Sequence, residues 1–432
     1  VRAVDEAATS PGTSMAGTSP LAASLDRTRQ RILEAAPVFA MVAAAAFLYA
    51  MRRPSSILAP GLFADDGTFF KDAIEHGWSA VLAPYNGQLF LVQRVFASLV
   101  APLPILIQPA LYYGIAMVAA VLSCSIALSS RWRFPVPLGA RFLCVVALLC
   151  IPGIAETYGA LSDMHWWLAV GLVLLGMLHD PLSRRLRIAE IVFVALTAAS
   201  GFSALYGLPS LAVRAFKNRS RHSLALLGVA LAGVVAELVY LLQSSRHGDL
   251  AGMAHPVTAV LILAKRVPAT LALGESNLAF LWPSRDAAVF DWLAVVVLVV
   301  ALAAVWVRAP RLEMAALLLT LGGGWFLALW AMTSGATIYM LFWLTSAARF
   351  FLVPRAVAYV SLVLVRPAGL LSRVAIGVSC VLLATGILSD YHLSPAQADD
   401  WAPFAACVEK RVSTCTTVIS PGWTLEIESR SR

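Results

Sequence analysis

Long apolar runs recur through the whole chain, at about residues 105–129, 223–243, 289–307 and 312–332 among others. A helix rises about 1.5 Å per residue, so about 20 apolar residues cross a hydrocarbon layer roughly 30 Å thick. Inside such a layer every backbone N–H and C=O needs a partner within the chain, which leaves helices or closed barrels. The alternating ten-residue pattern of barrel strands is absent. Charged residues make up 13% of the 432, about half the roughly 25% of soluble domains, which excludes a large soluble core. The fold class is all-α: a polytopic transmembrane helical bundle with about eleven membrane segments.

Lys and Arg collect on the cytoplasmic side of membrane proteins, so their clusters give the topology and the net charge of +8 needs no nucleic-acid partner. Arg27, Arg29 and Arg31 precede the first apolar run at about 35–51. Residues 1–33 therefore read as a disordered cytoplasmic tail, 34–389 as the transmembrane domain, and 52–104 as its first outer loop. Clusters at Arg131, Arg133 and Arg141, at Arg184, Arg185 and Arg187, and at Arg214, Lys217, Arg219 and Arg221 mark successive returns inside. The last two flank one apolar stretch, 188–215, whose middle reads "ASGFSALYGLP". Two short segments, about 188–199 and 203–215, meeting at a break keep both clusters inside. Residues 257–282 contain Lys265 and Arg266; an interfacial helix is expected, and a full span would invert everything after it. Residues 390–432 then form an extracytoplasmic tail, where Cys407 and Cys415 suit a disulfide.

Against this apolar background three polar motifs stand out. "ADDG", 64–67, places Asp65 and Asp66 in the first outer loop among Phe63, Phe69, Phe70, Trp78 and Tyr85. Asp72 follows six residues after Asp66 and lies on a different face if the stretch is helical. The amphipathic run after it, with Arg94, reads as a helix lying in the interface. Carboxylates held there are candidate general bases or metal ligands. "SDMHWW", 162–167, brings Asp163, His165 and Trp166 to another outer loop: a sugar platform, a partner for the first-loop carboxylates, or an aromatic interface belt. "ARFFLVPR", 348–355, puts Arg349 at the outer end of a span, where a guanidinium grips a phosphate or snorkels to lipid. Lys265, Arg266 and Arg94 are weaker candidates for that task. P-loop, Rossmann, HExxH and Ser-His-Asp signatures are absent.

The acidic pair in the first outer loop, the interfacial helices after it and the paired short segments further on resemble the GT-C glycosyltransferases. The "ADDG" motif carries most of the resemblance; "SDMHWW" and "ARFF" add to it. The resemblance implies a multi-pass enzyme of the bacterial inner membrane using polyprenyl-phosphate-linked sugars on the periplasmic or exterior face. It places the catalytic carboxylate at Asp65 or Asp66, with Asp66 favoured because "DG" suits a tight turn. Arg349 would hold the donor phosphate, and Asp163, His165, Trp166 and Tyr85 would line the substrate site. A divalent ion, Mg²⁺ or Mn²⁺, would sit among Asp65, Asp66, Asp163 and His165. The expected partners are the lipid-linked donor, a cell-envelope glycan, lipid or protein acceptor, and membrane lipid. The alternatives are a flippase for lipid-linked saccharides and a non-catalytic membrane scaffold.

The topology has a direct test in reporter fusions after Arg221 and after Asp390. The first is expected to report cytoplasm and the second the exterior. A cytoplasmic signal at Asp390 would overturn the reading of 257–282 or of the 188–215 pair.

Overall fold

The computed structural model describes residues 36–243, 256–281, 285–307, 309–331, 347–365, 369–394, 401–410 and 414–428. The tail expected at 1–33 lies outside these. The chain divides into two units, Val1–Ala44 and Ala45–Arg432, and all contacts given below lie within the second. Most described residues are helical. Four helices are long and apolar enough to cross a membrane: Ile105–Leu128, Arg221–Gln243, Arg311–Leu329 and Leu370–Ser389. Shorter apolar helices, including Ala36–Ala50, Leu138–Leu149 and Met164–Leu175, accompany them.

Met164–Leu175 is the hub of the bundle. It is apolar all round, and all of its residues are buried, the pattern of a helix enclosed by neighbours. Gln108–Ser125, Ser203–Asn218 and Leu352–Val363 pack against it. Gly207 meets it so closely that an added Cβ would lie 2.6 Å from Leu172 Cβ.

The break expected near 200 is present, between the helices Arg184–Ala198 and Ser203–Asn218. Both are longer than the twelve residues read from the sequence. Residues 89–91 satisfy the open backbone there. Gly201 N–H donates to the Leu89 carbonyl at 2.8 Å, and Leu91 N–H to the Ala199 carbonyl at 2.9 Å. Glu237, buried on the Arg221–Gln243 helix, accepts the N–H groups of Leu89 at 2.9 Å and Gly201 at 3.1 Å. The break therefore lies against protein, as an interrupted helix in a bilayer requires.

The 257–273 stretch, where an interfacial helix is expected, is helical throughout. Pro256–Ala264, a π-helical turn Lys265–Ala269 and Thr270–Leu273 run on continuously. Lys265, Arg266, Thr270 and Leu271 are buried, and this helix packs against Leu370–Ser389. Its two cations are thus enclosed by protein.

The C-terminal residues also fold more than a polar tail would. Helix Trp401–Lys410 and an antiparallel hairpin, β1 Cys415–Ile419 and β2 Trp423–Ile427, form beyond Asp390. A Cys407–Cys415 disulfide joins helix to hairpin. Phe404, Ile419, Leu425 and Ile427 share one apolar core with Phe69, Phe70, Val92 and Ala97 of the first outer loop. Loop and tail therefore make a single layer.

That layer explains the glycine of "ADDG". Gly67 is not in a turn; it lies in the first turn of the helix Asp66–His76. A Cβ there would meet Ile419 Cδ1 at 2.5 Å. Gly67→Val is expected to lower stability by about 1–3 kcal/mol, the usual range for overpacking. Thermal unfolding in detergent measures it, and adding Ile419→Ala should recover part of the loss.

Candidate functional site

The N-terminal end of the Met164–Leu175 helix meets the 52–104 loop, and the acidic pair sits at that junction. Asp65 precedes the helix Asp66–His76, after Ala64 in a left-handed conformation. The Ala64 N–H donates to the Ser420 carbonyl at 2.6 Å, so the hairpin turn sets the backbone of the motif. The two carboxylates then diverge. Asp66 turns inward and its Oδ1 accepts the Ser162 N–H at 2.7 Å. Asp65 accepts the Tyr85 hydroxyl at 2.5 Å, and its Oδ2 lies 3.5 Å from Arg349 Nη1.

Around this pair the structure gathers most of the residues singled out in the sequence. Asp163 Oδ1 accepts the Trp166 indole N–H at 3.2 Å. His165 Nδ1 is 2.8 Å from the Ser162 carbonyl oxygen. The Trp166 ring stands edge-on to Phe350, with centroids 5.3 Å apart, and to Tyr206 at 5.6 Å. Glu156, in the loop before "SDMHWW", accepts the backbone N–H groups of Ala347 and Arg349. It bears on the site although no motif marked it; its position in the short outer loop was the available signal.

Burial dominates the electrostatics. It pushes the Asp66 carboxyl up to about 7, against the lowering effect of hydrogen bonds from Ser162. Burial also lifts Asp163 well above the usual carboxylate range, with Arg349 opposing. Tyr85 is pushed up to about 12, by burial first and then by the charge of Asp65. Arg349 Nη1 lies near two carboxylates, 3.5 Å from Asp65 Oδ2 and 3.9 Å from Glu156 Oε1, and Asp163 acts on it electrostatically.

Three candidate phosphate ligands are engaged elsewhere. Arg94 is buried on the helix Leu91–Val100. Its Nη1 donates to Asp72 Oδ2 and to the Ala80 carbonyl, each at 3.0 Å. Asp72 is consequently no bystander: removing its charge would leave a buried guanidinium without its carboxylate. Arg266 Nη1 pairs with Glu275 Oε1 at 3.3 Å, and Lys265 is enclosed in the same π-helical turn. Buried cations cost much free energy unless paired, which accounts for Arg94 and Arg266 being held by carboxylates inside the protein.

Among the described residues, no group of three or more His, Cys, Asp and Glu side chains is placed to hold a metal ion. Oδ1 of Asp66, Oδ1 of Asp163 and Nδ1 of His165 face backbone or Trp166, and the reaction proposed for the site is written with the chain's own residues. A scan against family models, a search of curated proteins and a search of solved structures gave no match.

The raised Asp66 has a pH signature. Its folded value lies above the ordinary value of about 3.9, so between pH 4 and 7 the folded state binds more protons than the unfolded one. Its contribution therefore lowers stability as pH rises through that window. Asp66→Asn keeps an acceptor for Ser162 and removes the titration. The difference in melting temperature between pH 5 and pH 8 is expected to shift in the variant, with Asp66→Asn gaining on the parent at pH 8.

Proposed function

We propose that the chain is a GT-C-type membrane glycosyltransferase. It would transfer a sugar from a polyprenyl-phosphate-linked donor to a cell-envelope acceptor on the extracytoplasmic face, with inversion. The observation that carries this reading is the contact of Asp65 with Arg349 beside Trp166, Asp163 and Tyr85 at the head of the central helix. It unites a base, a phosphate-matching cation and an aromatic platform drawn from three distant stretches of chain.

Asp65 is the better base of the pair. Asp66 is 2% exposed and Asp65 9%, and Asp66 accepts the backbone N–H of Ser162. Asp65 instead lies on the Arg349 side of the helix start. In the reaction its carboxylate takes the proton of an acceptor hydroxyl. The freed oxygen attacks the anomeric carbon, and the bond to the lipid phosphate breaks on the opposite face. Arg349 neutralises the departing phosphate, an electrostatic role worth several kcal/mol by analogy with oxyanion sites. At 3.5 Å the Arg349–Asp65 contact is longer than a good charge-assisted hydrogen bond. A donor phosphate would draw the guanidinium from Asp65 and leave the carboxylate free to accept a proton, coupling donor binding to base activation.

The far end of the bundle is consistent with a one-sided active site. Arg214 pairs with Asp180 and Glu190, and Lys217 with Glu313. The acids there are matched by cations and tie helix ends together.

Asp65→Asn is expected to lower transfer about 10²–10⁴-fold, the usual cost of losing a general base, without loss of the fold. The assay is release of lipid phosphate from lipid-phosphate sugars by purified protein, with thermal unfolding measured in parallel. Glu426→Gln, on the exposed face of β2, serves as the control. Near-normal transfer by Asp65→Asn and by the Asp65/Asp66 double variant would defeat the mechanism and favour the flippase or scaffold.

A further inference from the structure

Arg349 does not owe its place to Asp65 alone. Glu156 sits in the loop between Leu138–Leu149 and Met164–Leu175, and reaches across to the start of the 3₁₀ turn Ala348–Phe351. Its Oε1 accepts the Ala347 N–H at 3.1 Å and its Oε2 accepts the Arg349 N–H at 3.0 Å. Oε1 also lies 3.9 Å from Arg349 Nη1. Ala347 has φ +56°, a left-handed conformation that a residue with a side chain seldom adopts. Left-handed backbone followed by right-handed turns neighbouring N–H groups inward, forming a concavity that binds anions. Here the anion is the carboxylate of Glu156, which compensates the backbone strain and orients both the main chain and the guanidinium of Arg349.

We propose that Glu156 is a positioning residue for phosphate recognition: it fixes Arg349 at the site so that the guanidinium can bind the phosphate of a polyprenyl-phosphate compound. This rests on the reading of Arg349 given under Proposed function. Glu156 suits the task because it grips Arg349 at two levels. The backbone bonds hold the residue in place, while the looser carboxylate–guanidinium contact leaves the charge free to turn to a ligand. Glutamine at this position would keep one acceptor oxygen, but its amide would oppose an N–H with another donor, so one of the two backbone contacts would be lost.

The test uses the full chain in detergent and titrates it calorimetrically with farnesyl phosphate, with farnesol as the uncharged comparison. The parent is expected to prefer the phosphate over the alcohol, and Arg349→Gln to erase that preference. Glu156→Gln and Glu156→Ala are expected to weaken farnesyl phosphate binding roughly tenfold, the scale of one charge-assisted hydrogen bond, with farnesol binding unchanged. Glu156→Asp keeps the carboxylate on a shorter stem and should recover part of the loss; it also serves if the other two variants do not fold. Phosphate binding at or above the parental affinity in the Glu156 variants, while Arg349→Gln loses it, would overturn the positioning role alone. A parallel fall in farnesol binding would assign Glu156 a merely structural role and overturn it as well. A parent that does not distinguish the phosphate from the alcohol would remove the donor reading itself, and the positioning role with it.

Discussion

A buried hydrogen bond joins two parts of the site: Asp66 Oδ1 accepting the N–H of Ser162. One partner belongs to the layer formed by the 52–104 loop and the C-terminal hairpin, and the other to the turn that starts the central helix. An unpaired buried carboxylate is costly, and so is an unpaired buried N–H. Each group therefore holds the other in register. Because Asp65 is the adjacent residue, this bond also fixes where Asp65 lies relative to Asp163, His165 and Trp166.

That layer is held by a second constraint, the closure of the C-terminal hairpin onto the acidic motif. Ile419 fills the space that Gly67 leaves open, and Ser420 bonds Ala64. Residues more than 350 positions apart in the chain thus shape one short turn. The disulfide at Cys407–Cys415 ties the hairpin to the helix that packs beneath it. A small domain with few apolar residues gains stability from such a staple because its unfolded chain is restricted.

Charge is distributed by the same logic throughout. Arg94 with Asp72, Arg266 with Glu275, and Arg214 with Asp180 and Glu190 are buried cations matched by acids. Arg52 and Arg355 instead donate to backbone carbonyls, Arg52 to Leu149, Ile151 and Asp390 and Arg355 to Pro152, Gly153 and Arg266. Such pairs and cages hold loops and helix ends. The cluster around Arg349 differs in setting two carboxylates, Asp65 and Glu156, against one guanidinium.

The long apolar runs determined the helical class by themselves, because a bilayer leaves the backbone no other open-chain option. The break near Gly201 was legible too, since glycine and proline between two basic clusters left few topologies. The motifs "ADDG", "SDMHWW" and "ARFF" marked Asp65, Asp66, Asp163, His165, Trp166 and Arg349 as unusual for a greasy chain. Only tertiary structure decided which of them meet. It brought Arg349 to Asp65 and recruited Glu156, and it turned Arg94 and Arg266 toward Asp72 and Glu275. It also separated the roles of two adjacent aspartates, burying Asp66 against Ser162 and directing Asp65 to Tyr85 and Arg349. The reason is physical: local sequence sets the helix period and the breaks. The partner of a buried charge is chosen by packing across the fold, between residues that no local pattern connects.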